Sequence, residues 1–204
     1  MKTDSSDGGL AMIPDEEFIK DDRVPGPTKE EIRCLVLCKA DPMGDEIVAD
    51  VGCGTGGFTL EFAKKVHRVY AIDRDPQAIK ITRENLINHG LGENVKLINE
   101  DAEKALKRLG DLDIIIIGGS GGRLSKIIEV GASKLTSHGR IIVTSILLET
   151  KLEAVQTFKR LGFKPGIIDV NIARGHPIKR GTMMLANNPI SIIWGGLNED
   201  KLEG

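Results

Sequence analysis

Six residues, Gly52-Cys53-Gly54-Thr55-Gly56-Gly57, carry glycines at the G-x-G-x-x-G spacing of a nucleotide-binding loop. Glycine there permits a tight turn and a close approach of backbone amides to a ligand, and a helix starting near Gly56 would add its positive end. The pyrophosphate of a dinucleotide suits such a loop, and so does a carboxylate. Asp50 separates the two. Standing two residues before Gly52 in D-x-G-x-G-x-G, its carboxylate repels a pyrophosphate but is able to hold the loop or face an amino group.

Two further acidic positions extend the pattern. Asp73 closes the β-rich run Tyr70-Ala71-Ile72-Asp73, where a carboxylate accepts both hydroxyls of a ribose. Asp101 and Ala102 follow the next such run. There the carboxylate can accept from the exocyclic amine of an adenine while the Ala102 amide donates to its ring; Asp101 is equally placed to cap a helix, and the two roles are compatible. An adenosine joined to an amino acid satisfies all these groups, so S-adenosylmethionine is the expected cofactor. Its expected contacts are Asp50, Gly52, Cys53, Gly54, Thr55, Gly56, Asp73, Asp101 and Ala102. An NAD-dependent oxidoreductase is the reading from another enzyme class, and a non-catalytic cofactor binder is a third.

The chemistry of a substrate falls on later loops. Gly118-Gly119-Ser120-Gly121-Gly122 offers no side chain to align an amine, and a glycine-lined opening at Gly119, Ser120 and Gly121 suits a large planar molecule that is itself nucleophilic at carbon. Arg123 and Lys126 lie just beyond it, and Arg174, His176, Lys179 and Arg180 cluster in a later loop; charge-assisted hydrogen bonds from these would hold several carboxylates. For acid–base work only Glu149 and His176 stand out, each with a structural or binding role as the stronger expectation. Cys34, Cys38 and Cys53 form no metal-ligand spacing, so no metal is expected.

The elements that must position these residues follow from periodicity. Strands are expected at 47–51, 69–73, 95–99, 113–117 and 140–145, alternating with helices near 56–66, 76–89, 102–109, 123–135 and 149–161. Such alternation means a parallel sheet covered on both faces, and Ile114-Ile115-Ile116-Ile117 reads as a central strand buried on both sides. Beyond Gly162 the runs 167–172, 182–185 and 191–194 are separated by loops alone and read as antiparallel. Ahead of the first strand, Pro25 and Pro27 enforce an extended path, and Thr28 with Glu31 forms a capping box for a helix over 29–39, with Ile32, Leu35, Val36 and Cys38 on its apolar face.

The 204 residues suit one domain over 12–196, with tails at 1–11 and 197–204, and Met12 is a possible second start of translation. No apolar run reaches the roughly 18 residues of a membrane span and the polar start is unlike a signal peptide, so a cytoplasmic protein without membrane contact is expected. With 28 basic against 30 acidic residues and 3% aromatics, neither a basic surplus nor stacking rings mark a nucleic-acid binder, and no nucleic-acid partner is expected.

Over about residues 28–195 these motifs resemble the class I S-adenosylmethionine-dependent methyltransferases. The resemblance implies an α/β, Rossmann-like, doubly wound sheet of seven strands, mostly parallel with an antiparallel C-terminal hairpin. More narrowly, IPDEEF, PGPTKEEIRCLVLCKAD, DVGCGTGGFTLEFA, GGSGG, GRIIVTSILLET and MMLANNPISII resemble the decarboxylating cobalt-precorrin methyltransferases of anaerobic cobalamin biosynthesis. That resemblance implies methylation of carbon 15 of a tetrapyrrole of precorrin-7 type, loss of carbon dioxide from the ring C acetate, cofactor contacts at Thr28, Gly52 to Gly56, Asp73 and Ala102, and a homotetramer. A tRNA methyltransferase of the same fold is the nearest alternative.

Overall fold

The computed structural model describes residues 11–197, so the expected tails lie outside it except for Ala11 and Leu197. Five strands, β1 (Ile47–Val51), β2 (Arg68–Asp73), β3 (Val95–Asn99), β4 (Leu112–Ile117) and β5 (Leu135–Ser145), run parallel. They alternate with α2 (Gly57–Ala63), α3 (Pro76–Asn88), α4 (Ala102–Arg108) and α5 (Leu124–Ala132), and α6 (Leu148–Arg160) follows β5. Strand order is β3-β2-β1-β4-β5-β9-β6, with β6 at Gly166–Val170 and β9 at Ile190–Gly196. The chain winds outward from β1 to β3, then crosses back to β4, so the carboxyl ends of β1 and β4 flank the point where the winding reverses. Ligands bind at such a reversal.

Alternation along β4 shows why the sheet is covered twice. Ile114 and Ile116 pack with Ile32 and Val36 of α1 (Glu30–Ala40) and Phe58 and Phe62 of α2, whereas Ile115 and Ile117 pack with Ile127, Ile128 and Phe158 of α5 and α6. All four isoleucines are buried, each contributing roughly 1.5–3 kcal/mol by leaving water.

The C-terminal quarter departs from the expected pattern. The predicted strand over 167–172 is shorter, because β6 stops at Val170, and beyond it an unexpected strand, β7 (Ala173–Ile178), pairs only with β8 (Gly181–Ala186). This ribbon stands outside the main sheet, and its side chains are almost all exposed, so nothing in it supplies a buried face. β9 does, with Ile192 and Ile193 fully buried, and it returns antiparallel between β5 and β6. Other boundaries move: α2 ends at Ala63 and α5 at Ala132, each three residues early, and β5 begins five residues earlier than expected, at Leu135 against 140.

The start of α1 is also corrected. Thr28 is not its cap and the capping box does not form; Lys29 precedes the helix without a side-chain cap. Arg33 is the reason. Its fully buried guanidinium takes the Thr28 and Ile13 carbonyls, Asp15 Oδ1 at 2.8 Å and Glu61 Oε1 at 3.2 Å, and lies 4.8 Å from the Phe18 ring centroid. Glu31, freed of the box, pairs with Arg174 at 2.6 Å. Leu35 and Cys38, expected on the apolar face, are not buried, while Arg33, Leu37 and Ala40 are.

Arg33→Ala takes the one fully buried cation from Asp15 and Glu61, which keep only the partly exposed Lys29, Arg174 and Lys64, so a loss of about 3–5 kcal/mol is expected in denaturant unfolding. Arg33→Lys, which lacks the planar fork, is expected to recover only part of it.

Candidate active site

At the reversal, the loop 52–56 leaves β1 and meets the loop after β4. Gly118 N and Gly119 N donate to the Val51 carbonyl at 3.0 and 3.4 Å, so the second loop is fastened to the end of β1. Gly52 has φ +73°, and a Cβ there would lie 2.7 Å from Gly119 N; no side chain fits.

A cavity of about 330 Å³ opens beside this contact. It is lined by Gly52, Cys53, Gly54 and Thr55, by Asp73, by Asp101 and Ala102, and by Gly118 to Gly121 with Arg123. The residues expected to contact a cofactor are thus brought together, Thr28 included, except Asp50 and Gly56; Gly56 turns inward, against the Leu60 and Thr82 side chains. The wall formed by Val24, Pro25, Gly26 and Pro27 had been read only as an extended lead-in, and Arg74 and Glu100 carried no motif.

The loop amides do not cradle a phosphate. Gly52 N and Cys53 N both donate to the Ile72 carbonyl, Gly56 N to Cys53 O, and Gly54 N to Asp73 Oδ2 at 3.1 Å. α2, only seven residues long and buried throughout, adds little dipole. Asp73 is held from both sides, because its Oδ1 accepts from Asp75 N at 2.9 Å, and Asp75 in turn caps α3. Its carboxylate therefore faces the cavity in a fixed orientation. Asp101 does cap α4, accepting from Glu103 N at 3.2 Å, and its other oxygen binds Arg123, which holds its carboxyl below the usual range.

Asp50 lies beneath the loop and is not among the lining residues. It is 1% exposed, and burial pushes its carboxyl up to about 6, against a hydrogen bond from Thr59 Oγ1 at 2.6 Å that favours the charged form. Its Oδ1 has no partner among the described residues. Burial likewise raises the Cys53 thiol, so Cys53 is a structural group and no nucleophile.

A second cavity of about 390 Å³ lies on the other side of the loop 118–122, bounded by Val143 to Leu147 and by Thr150 and Glu153 of α6. Glu149 is exposed and outside both cavities; Glu153, one helical turn on, is the carboxylate that faces one. A helical period applied to Glu149 would have found it. His176, Lys179 and Arg180 are exposed on the ribbon, and Arg174 is engaged by Glu31 and Asp15, so none of these four lines a cavity. Among the described residues no cluster of His, Cys, Asp or Glu is arranged to hold a metal, and no helix is long and apolar enough to cross a membrane.

Residues 16–195 match the model of a family described as the precorrin methyltransferase domain. A protein of Methanothermobacter thermautotrophicus, named probable cobalt-precorrin-6B C(15)-methyltransferase (decarboxylating), is 53% identical over 190 residues, covering 93% of this chain and 99% of the relative. The crystal structure of a precorrin-8W decarboxylase from Methanobacterium thermoautotrophicum is similar with TM-score 0.89 at 55% identity, over 91% of this chain and 100% of the other. That of a precorrin-6Y C5,15-methyltransferase from Geobacter metallireducens gives 0.85 at 30% identity, over 92% and 98%.

Asp50 yields a test of the site's electrostatics. Its folded value of about 6 exceeds the ordinary 3.8, so the native state binds more protons between those values and its stability falls as pH rises through that window. Above about pH 6 the cost is complete. Asp50→Asn is therefore expected to raise stability there by about 1–3 kcal/mol, with no gain below about pH 4, in urea unfolding at both pH values. Equal or lower stability of the variant above pH 6 contradicts the account.

Proposed function

We propose that this chain, which belongs to the precorrin methyltransferase family, uses S-adenosylmethionine to methylate carbon 15 of a cobalt-precorrin and removes the ring C acetate carboxyl as carbon dioxide. The relatives' names write the substrate as cobalt-precorrin-6B, where the sequence suggested one of precorrin-7 type; methylation at carbon 15 and decarboxylation are common to both. The observation that carries this reading is the pair of cavities divided by a side-chain-poor glycine loop. A methyl donor on one side and a flat acceptor on the other need such a thin partition.

The residues of the first cavity fit the cofactor. Asp73 offers oxygens already oriented for two ribose hydroxyls, and the 101–102 segment offers an edge to adenine. The Asp50 carboxylate, buried under the loop and outside the lining, disfavours a pyrophosphate by its charge, as do the four loop amides already spent within the protein. Both points speak against NAD. When bound, S-adenosylmethionine supplies a methyl group activated on a sulfonium. The protein's share is alignment, worth roughly 7–11 kcal/mol at best. The loop 118–122 contributes by bringing the two ligands close, and the Val24 to Thr28 wall by excluding water from the cofactor's side.

The homotetramer suggested by the resemblance belongs to the same proposal. Ile178, Met183, Met184 and Leu185 leave an apolar surface on the ribbon that a second copy would cover.

Incubation with labelled S-adenosylmethionine and a cobalt-precorrin is expected to place label in the macrocycle and release carbon dioxide. Label entering bulk tRNA and not the precorrin overturns the reading. Asp73→Ala is expected to weaken S-adenosylhomocysteine binding roughly tenfold to a hundredfold in calorimetry, the loss of hydrogen bonds to a charged acceptor.

A further inference from the structure

The walls of the second cavity divide by chemistry. Apolar side chains come from β4, α5, β5 and the 145–147 turn; hydroxyls come from Ser120, Thr144, Ser145 and Thr150; and among the described residues the single charged group is Glu153. Among the described residues no Lys, Arg or His lines it. The first cavity, by contrast, has Arg74 and Arg123, and the ribbon has the exposed Lys179 and Arg180. Glu153 is fixed in place, its Oε1 accepting from Ser125 N and Ser125 Oγ, each at 2.9 Å, and that hydroxyl lies 2.9 Å from Thr157 Oγ1.

A recess without cations, next to an anchored carboxylate, is a poor place to hold a carboxylate for affinity. It is a good place for one that departs uncharged. An ion pair with Lys or Arg would stabilise the acetate before reaction and not the state in which its charge has moved into the ring, and so would raise the barrier. A lining that offers hydroxyls for orientation and no compensating charge narrows that gap.

We propose that this recess receives the ring C acetate, and that its lack of a cation selects that one carboxylate, among several on the substrate, for removal. The proposal rests on the function inferred above. The bond between the acetate methylene and its carboxyl carbon breaks, and its electron pair enters the conjugated macrocycle, offsetting the positive charge that arrives with the methyl group. Carbon dioxide leaves. The methylene gains one proton and the macrocycle gives one up through water, so no net proton, oxidant or reductant is consumed. The carboxylates that stay on the product bind elsewhere, on cationic side chains.

The experiment is to add a cation to the recess. Thr150→Lys and, from the facing wall, Ser145→Lys are given a cobalt-precorrin and S-adenosylmethionine, and the tetrapyrroles are followed by mass spectrometry. Methyl transfer is expected to continue while decarboxylation falls roughly tenfold to a hundredfold behind it, the scale of one charge-assisted hydrogen bond. A methylated species heavier by one carbon dioxide then accumulates. Leu152→Lys, an exposed position on the same helix outside both cavities, is expected to behave as the wild type. Decarboxylation that keeps pace with methylation in both recess variants, or the two activities falling in step, overturns the proposal while leaving the methyltransferase reading intact. A wild-type protein that methylates no precorrin overturns that reading first.

Discussion

The contact of Gly52 with Gly119 is the constraint from which the site follows. Two loops leave neighbouring parallel strands at the point where the winding of the sheet reverses, and they touch backbone to backbone, closer than any Cβ allows. Hydrogen bonds from Gly118 N and Gly119 N to Val51 O lock the arrangement. The sheet supplies the rigidity behind it, since Val51 and Ile117, which end β1 and β4, are both buried and paired in register. One cavity opens on each side of that contact. A loop of larger residues would thicken the partition, and a looser one would let the two sides drift; either loses the alignment on which catalysis by proximity depends.

A second interaction closes the first cavity. Arg33 is a fully buried charge, which is costly unless it is paired and hydrogen-bonded, and here four hydrogen bonds reach two carboxylates and two carbonyls. The carbonyls belong to Ile13 and Thr28, so the network ties both ends of the segment that includes Val24 to Pro27 against α1 and α2. Asp15 also receives Arg174 at 3.1 Å, which fastens the ribbon to the same cluster. The wall of the first cavity and the ribbon therefore share an ionic anchor. Replacing the cluster by apolar side chains would stabilise as well or better, but would not connect three separated parts of the chain in one register.

Much of this was legible in the sequence because glycine spacing and strand-end carboxylates report local backbone needs. Gly52 to Thr55, Asp73, Asp101 and Ala102 meet at one cavity, and the run Ile114 to Ile117 is the buried central strand it resembled. What was not legible depends on distant partners. Nothing local marks Arg33 as buried, and Thr28 lost its capping role because Arg33 takes its carbonyl and Arg174 takes Glu31. Arg174 itself looked like a substrate ligand until Asp15 and Glu31 were found beside it. The ribbon was hidden because 167–172 keeps the apolar–polar alternation of one strand, and β6 ends at Val170 only because its partner β9 begins opposite it, at Ile190. Glu153 was passed over for Glu149, which sits nearer the strand end in sequence but faces away in space.

The central claim, that the glycine loop separates a methyl donor from its acceptor, is tested most directly by a crystal structure with S-adenosylhomocysteine bound. The account predicts ribose hydroxyls on Asp73, adenine against the 101–102 segment, and the thioether sulfur turned toward the loop 118–122, with the second cavity open beyond it. A ligand lying elsewhere, or one whose adenine occupies the 118–122 loop, would contradict it.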